Sequence, residues 1–211
     1  MAMPVPAVRD FDHLDCDPDR DRPLDARTRR AAEAFAKFLE AIGVDRTDPH
    51  LAGTPLRVAR MYDELFAGLG EGAEPELRTF PNAEGYSQMV AVTDIPFHST
   101  CAHHFLPFFG TAHVAYLPGA RVVGLSKLAR LVDSYARRPQ VQERMTEQVA
   151  DLLQRRLEPA GVMVVVQARH LCMEARGVAK AGAMTTTSTI RGAFQDERTR
   201  QELLGLLSRS R

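Results

Sequence analysis

Within ten residues, Ser99-Thr100-Cys101-Ala102-His103-His104-Phe105-Leu106-Pro107-Phe108, the chain gathers one thiol and two imidazoles between apolar flanks. A second group of the same kind stands far downstream at His170-Leu171-Cys172. Thiolate sulfur and imidazole nitrogen are the ligands Zn²⁺ prefers, and a zinc centre that catalyses keeps one coordination position for water. Cys101, His104 and Cys172 make three such ligands. His103 and His170 stand beside them as proton carriers, since imidazole titrates near neutral pH. Zinc would lower the pKa of a bound water to about 7, and a neighbouring histidine would protonate the group under attack. That pairing suits addition of water to an electron-poor C=N carbon. A structural zinc site is normally closed by four protein ligands, and a chain of 211 residues has no need of such a staple. The set predicts a zinc-dependent hydrolytic site.

Cations that could hold an anionic ligand are scattered around these groups. Lys127 and Arg130 are three apart and share a side of one predicted helix, and Arg176 follows Cys172 closely. Arg57 and Arg60 share a face of an earlier helix. Guanidinium groups bind phosphate oxygens bidentately and lysine adds a point charge. No Gly-x4-Gly-Lys-Ser/Thr stretch occurs, so a phosphorylated ligand would be held by side chains. Glu143, next to Gln142 in the first turn of a predicted helix, could accept from the ring N–H and exocyclic amine of a guanine; the helix dipole accounts for a glutamate there equally well. Taken singly, each of these is an ordinary surface group.

The elements that must position them follow from periodicity. A helix is predicted from Asp25 or Thr28, with Ala31, Phe35, Phe38, Leu39 and Ile42 on one face and Gly43 ending it. After a polar loop at 45–50, Thr54-Pro55 reads as a cap and first helical residue, with Val58, Met61, Tyr62, Leu65 and Phe66 lining the buried side. Residues 71–88 read as loop. Strands are predicted at Met89–Phe97 and Thr111–Leu117, with the Cys101 stretch as a loop or strand edge between them and His113 packed within the second. Ser126 reads as the cap of a helix that breaks at Arg138-Pro139, and a further helix runs from Val141 to Leu157. Val162–Arg169 and Met184–Ile190 are strands, the first delivering His170 and Cys172 at its end. A short amphipathic helix carries Leu203, Leu204 and Leu207. Sequential strand pairs with helices set apart predict an α+β protein with antiparallel pairing.

Composition narrows the function classes. Basic and acidic residues balance, 27 against 27, so no overall field draws the chain to nucleic acid or an anionic membrane. No apolar run reaches the roughly 20 residues that span a bilayer, and acids and prolines fill the N-terminus where a signal peptide needs an apolar stretch. A cytoplasmic location is expected. Three cysteines are too few for a disulfide framework. Cys16, among aspartates, reads as a free surface thiol.

Several blocks taken together resemble GTP cyclohydrolase I. They are 53–61 (GTPLRVARM), 101–106, 110–118, 124–130 (GLSKLAR), 138–144 (RPQVQER), 170–177 (HLCMEARG) and 185–188, in family order across nearly everything after residue 28. The resemblance implies a T-fold subunit, helices packed on an antiparallel sheet, assembled as a toroidal homodecamer of two stacked pentameric rings with active sites between subunits. Residues 1–25 would then be a flexible arm and 26–211 a single domain: a helical part at 26–70, a T-fold core at 86–194 and a C-terminal helix at 195–211. The implied reaction is GTP plus water giving formate and 7,8-dihydroneopterin triphosphate, the entry to folate-type pterins. Cys101, His104 and Cys172 match the zinc ligands, and His103 and His170 the proton-transferring histidines. Gln142 and Glu143 match the guanine-recognition pair, and Ser126 a residue near the ribose. Lys127, Arg130 and Arg176 match triphosphate contacts, with Arg57 and Arg60 as additions. One position departs from the pattern: Ala102 stands where the family usually has Glu. The alternative this opens is a T-fold paralogue with altered or lost activity that acts on or binds another purine or pterin.

Overall fold

The computed structural model describes residues 24–70 and 74–209. Most of the expected N-terminal arm, with Cys16, lies outside these residues. The chain divides into two compact units, the first ending at Leu65 and the second beginning at Phe66, where the sequence reading runs one domain from 26 to 211.

The first unit holds α1 (Ala26–Ala41), the single turn α2 (Pro49–Ala52) and α3 (Thr54–Leu65). Asp25 caps α1 by accepting from the Thr28 amide, and Asp48 caps α2 by accepting from His50 N. The buried stripes are Thr28, Ala32, Ala36 and Leu39 on α1 and Pro55, Leu56 and Ala59 on α3. This corrects the expected faces: Phe38 is 52% exposed, Ile42 58% and Met61 43%. Alanines at 32, 36 and 59 let the two helix backbones approach closely, so the seam runs through small residues and the larger apolar side chains fall beside it. The Thr28 hydroxyl donates to the Asp63 carboxylate across this seam.

The second unit is built on a five-stranded sheet in the order β5-β2-β3-β6-β7. Its strands are β2 (Val90–Cys101), β3 (Pro107–Leu117), β5 (Pro139–Gln140), β6 (Gly161–His170) and β7 (Met184–Gly192). All pairings are antiparallel except the two-residue β5, which runs parallel to the end of β2 through Thr100↔Pro139 and Cys101↔Gln140. A small ribbon pairs β1 (Thr79–Pro81) with β4 (Arg121–Val123). Helices α4 (Leu125–Ala136) and α5 (Gln142–Leu157) cover one face of the sheet. There Phe97, Phe108 and Val166 pack with Leu128, Leu131, Met145 and Leu152, all at or near full burial. The other face carries a smaller cluster, in which Met163 and Val165 meet Phe194, in the 3-10 turn before α7 (Glu197–Arg209), and Leu203 of that helix.

Two sequence expectations are revised here. Both hairpin strands reach further than predicted, because pairing continues through Phe97↔Gly110 and Ser99↔Phe108 to Thr100↔Pro107. The first half of the cysteine–histidine stretch is therefore strand, and only 102–106 turn. Ser126 is not the cap of α4: Gly124, in extended conformation, precedes Leu125, and no side chain caps the helix. His113 is buried within β3, as expected, and its Nδ1 accepts from the Asp94 amide at a bulge of β2.

Candidate metal and proton-transfer site

Cys101 ends β2, and its backbone closes the following turn. Its N–H donates to Leu106 O and its carbonyl accepts from Phe105 N–H, both at 2.9 Å. Phe105 takes up a left-handed conformation, φ 54°, that lets so short a turn carry two histidines. On the far side of β3, β6 ends in His170 and runs into the single turn α6 (Leu171–Glu174), which carries Cys172. Because β2 and β6 both flank β3, distant sequence segments meet at one end of the sheet. Cys101, His104 and Cys172 bring their ligand atoms within 4.8 Å of one another, which is the expected trio. In a tetrahedral zinc site with bonds of about 2.0–2.3 Å such atoms lie somewhat closer, so binding would draw the three together by about 1 Å at most.

The electrostatics of the trio suit a cation. Burial pushes the Cys172 thiol up from its ordinary value, the neighbouring Cys101 sulfur adds to this, and Arg176 works weakly against it. A cation bound there would replace the thiol protons, since sulfur binds a metal as thiolate. Arg176 Nη1 lies 3.2 Å from His104 Nε2. Guanidinium can only donate, so that ring nitrogen is the acceptor of the contact. The donor set, two thiols and one imidazole, fits zinc. His103 Nδ1 stands 3.8 Å from Cys101 Sγ.

His170 is held on two sides. Its ring stacks on that of the buried Phe108, centroids 4.7 Å apart and 4° from parallel. Its Nε2 lies 2.7 Å from Gln142 Oε1. Burial pushes the imidazole below the usual histidine range, and the Glu143 carboxylate pulls it partly back. Gln142 is 1% exposed, and its Nε2 donates to Val166 O at 3.0 Å, Thr185 O at 3.1 Å and Thr187 Oγ1 at 3.2 Å. The amide expected beside a guanine is thus engaged inside the subunit, while Glu143 next to it is exposed. A bidentate ion pair from Arg169 to Glu174 brackets His170 and Cys172, tying the end of β6 to α6.

Sequence reasoning missed three of these supports: the Phe108 stack, the Gln142 bond and the Arg169–Glu174 pair. Phe108 and His170 are cross-strand partners, a relation visible only once the register is known. Of the predicted cations, Arg176 reaches the trio. No hydrogen bond or ion pair ties Ser126, Lys127 or Arg130 of α4 to it among the described residues. Arg57 and Arg60 belong to α3 in the first unit. There Arg57 Nη2 donates to His50 O and Thr54 Oγ1, each at 3.0 Å.

With this geometry in place, comparison with known proteins decides the family. The family model described as GTP cyclohydrolase I matches residues 31–208. The chain belongs to the GTP cyclohydrolase I family. It is 54% identical over 183 residues to GTP cyclohydrolase 1 of Mycolicibacterium vanbaalenii, covering 85% of this chain and 90% of the relative. Identity to the protein of that name from Thermobifida fusca is 55% over 181 residues, covering 84% and 87%. To that of Mycobacterium leprae strain Br4923 it is 50% over 208 residues, covering 97% and 94%. As a GTP cyclohydrolase I family member the chain still carries Ala102, whose backbone N–H donates to Gln140 O at 2.8 Å. Cys101, His104 and Cys172 beside it form one group that could hold a metal ion.

Proposed function

We propose that this chain hydrolyses GTP to formate and 7,8-dihydroneopterin triphosphate, in a zinc-dependent reaction that opens a folate-type pterin pathway in the cytoplasm. The observation that carries the reading is the convergence of Cys101, His104 and Cys172 beside a doubly anchored His170, in a chain of this family.

Zinc held by Cys101, His104 and Cys172 would supply an activated water near neutral pH. His103 and His170 hold and move protons while the imidazole ring of the purine opens, formate leaves, and the ribose opens and rearranges so that its carbons close the pterin ring. Glu143, with its exposed carboxylate, accepts from the guanine edge. Gln142 stands beside it with its amide bonded within the subunit. Arg176, Lys127 and Arg130 bind the triphosphate, with Arg57 and Arg60 as further contacts, and Ser126 lies near the ribose. The subunit is a T-fold that assembles as a homodecamer. Two unpaired sheet edges support assembly: the outer edge of β7, and β2 ahead of its two residues on β5. A site between subunits accounts for cations on α4 that no bond ties to the trio within one chain. The intact ligand and histidine set favours this enzyme over a silent paralogue marked by Ala102.

The test measures bound zinc per subunit and follows formate and dihydropterin from GTP, with chelator and after zinc is restored. Expected are one zinc per subunit, product from GTP, loss of turnover on chelation with circular dichroism unchanged, and recovery with zinc. Zinc-replete protein that leaves GTP intact would refute the proposal.

A further inference from the structure

Gln142 is placed where two hydrogen-bonding demands meet. Its side-chain amide faces two backbone carbonyls, Val166 O and Thr185 O, on one side and a ring nitrogen of His170 on the other. Backbone carbonyls only accept, so the NH₂ must face them and the amide oxygen must face the histidine. The usual interchange of amide N and O is excluded, because flipping would set an oxygen against two carbonyl oxygens and an NH₂ against the ring. An amide oxygen also only accepts. His170 therefore carries its proton on Nε2, whether the ring is neutral or cationic.

We infer that Gln142 is a positioning residue that fixes His170 as the Nε2–H form and leaves Nδ1 as its working nitrogen. No hydrogen bond engages Nδ1 among the described residues. The stack on Phe108 holds the ring plane, and turning the ring over within that plane would break the 2.7 Å bond. Gln142 in turn cannot follow a moving histidine. It sits at the first turn of α5, is almost fully buried, and its three donor contacts span β6 and β7. The inference rests on the reading of His170 as a proton-transfer group and adds which nitrogen does the transfer.

Neutron diffraction from crystals of the zinc-loaded full chain tests this without altering the protein. Expected is deuterium on His170 Nε2, directed at Gln142 Oε1; an undeuterated Nε2 with deuterium on Nδ1 alone overturns the inference. The near-isosteric Gln142→Met variant provides a second readout. Expected is a fall in kcat for GTP of about tenfold or more with KM changed less than about twofold, as loss of an oriented acid–base group requires. The ¹⁵N spectrum of its histidines should show His170 as a mixture of tautomers, and Gln142→Glu, which keeps an acceptor oxygen, should restore the Nε2–H form. A raised KM with kcat intact would return Gln142 to the guanine and refute the positioning role. The neutron map and the ¹⁵N spectrum read the tautomer whether or not GTP is the substrate, so failure of the inference is distinct from failure of the proposed function.

Discussion

Gly110 offers a sharp test of how tightly the site is built. It lies in β3 opposite Ala168, two residues from the Phe108↔His170 pair. A Cβ added there would stand 1.9 Å from Gln167 O, 2.7 Å from Ala168 Cα and 2.9 Å from Gln167 C. Ordinary contact needs about 3.4 Å, and all three neighbours are backbone, so β6 itself would have to retreat by about 1.5 Å. Two residues along, His170 would shift by a large part of that, and Cys172 with it. A misplacement of about 1 Å costs about a hundredfold in rate. Parting the strands forfeits ladder hydrogen bonds at about 1 kcal/mol each, so Gly110→Ala should lose about 2–4 kcal/mol. For a chain of this length that lowers Tm by about 4–16 °C. GTP turnover and differential scanning calorimetry on the zinc-loaded protein provide the assay. Gly205→Ala is the matched control, because nothing lies within 4 Å of a Cβ there and the position is inside α7. Alanine should stabilise that helix by up to about 1 kcal/mol and leave turnover unchanged. A Gly110→Ala enzyme with wild-type turnover and an unchanged Tm would refute the claim that close β3–β6 contact sets the site.

Phe108→Leu should cost about 1–3 kcal/mol from lost volume and stacking, and lower kcat more than it raises KM for GTP; melting curves and steady-state kinetics check this. Glu174→Gln weakens the bidentate clasp with Arg169, so the metal-free protein should show faster reaction of Cys172 with a thiol reagent, the Cys101 rate serving as the internal standard. Glu147 accepts from the Thr189 hydroxyl at 2.6 Å and pairs with Arg191, and these contacts hold its carboxyl below the usual range. A depressed folded-state pKa contributes stability above the unfolded value, about 4.3, and loses it as pH falls through the folded one. The Tm difference between wild type and Glu147→Gln should therefore be present at pH 6 and shrink below about pH 4; a difference that grows on acidification would refute it.

The candidate trio was legible because few residue types bind zinc, and among the described residues Cys101, His104 and Cys172 come together as one group. The strands were legible from β-branched runs such as 162–166, which full burial in the sheet demands. Their ends were not, because Ser99, Thr100 and Pro107 join the hairpin through pairing rather than propensity. The face of α1 was misjudged for a related reason, since periodicity marks large apolar residues whereas this seam is made by Ala32 and Ala36. The expectation of a guanine contact for Gln142 came from the family resemblance, which says nothing of how its amide is held within the subunit. Only the β6 and β7 carbonyls, supplied by strands 24 and 43 residues downstream, reveal its burial.

The two-residue strand β5 reaches well beyond its size. Gln140 is buried, and its backbone carbonyl receives the Ala102 amide. Its side chain bonds Tyr135 O, Gln148 and Arg144 on the flanking helices. Two residues on stand Gln142 and Glu143. The turn carrying His103 and His104 and the first turn of α5 are thus tied to one main-chain segment. Under the proposed function the enzyme acts as a gauge of fixed length, admitting a base whose reactive carbon and hydrogen-bonding edge span the distance between these two turns and turning away longer or shorter ones.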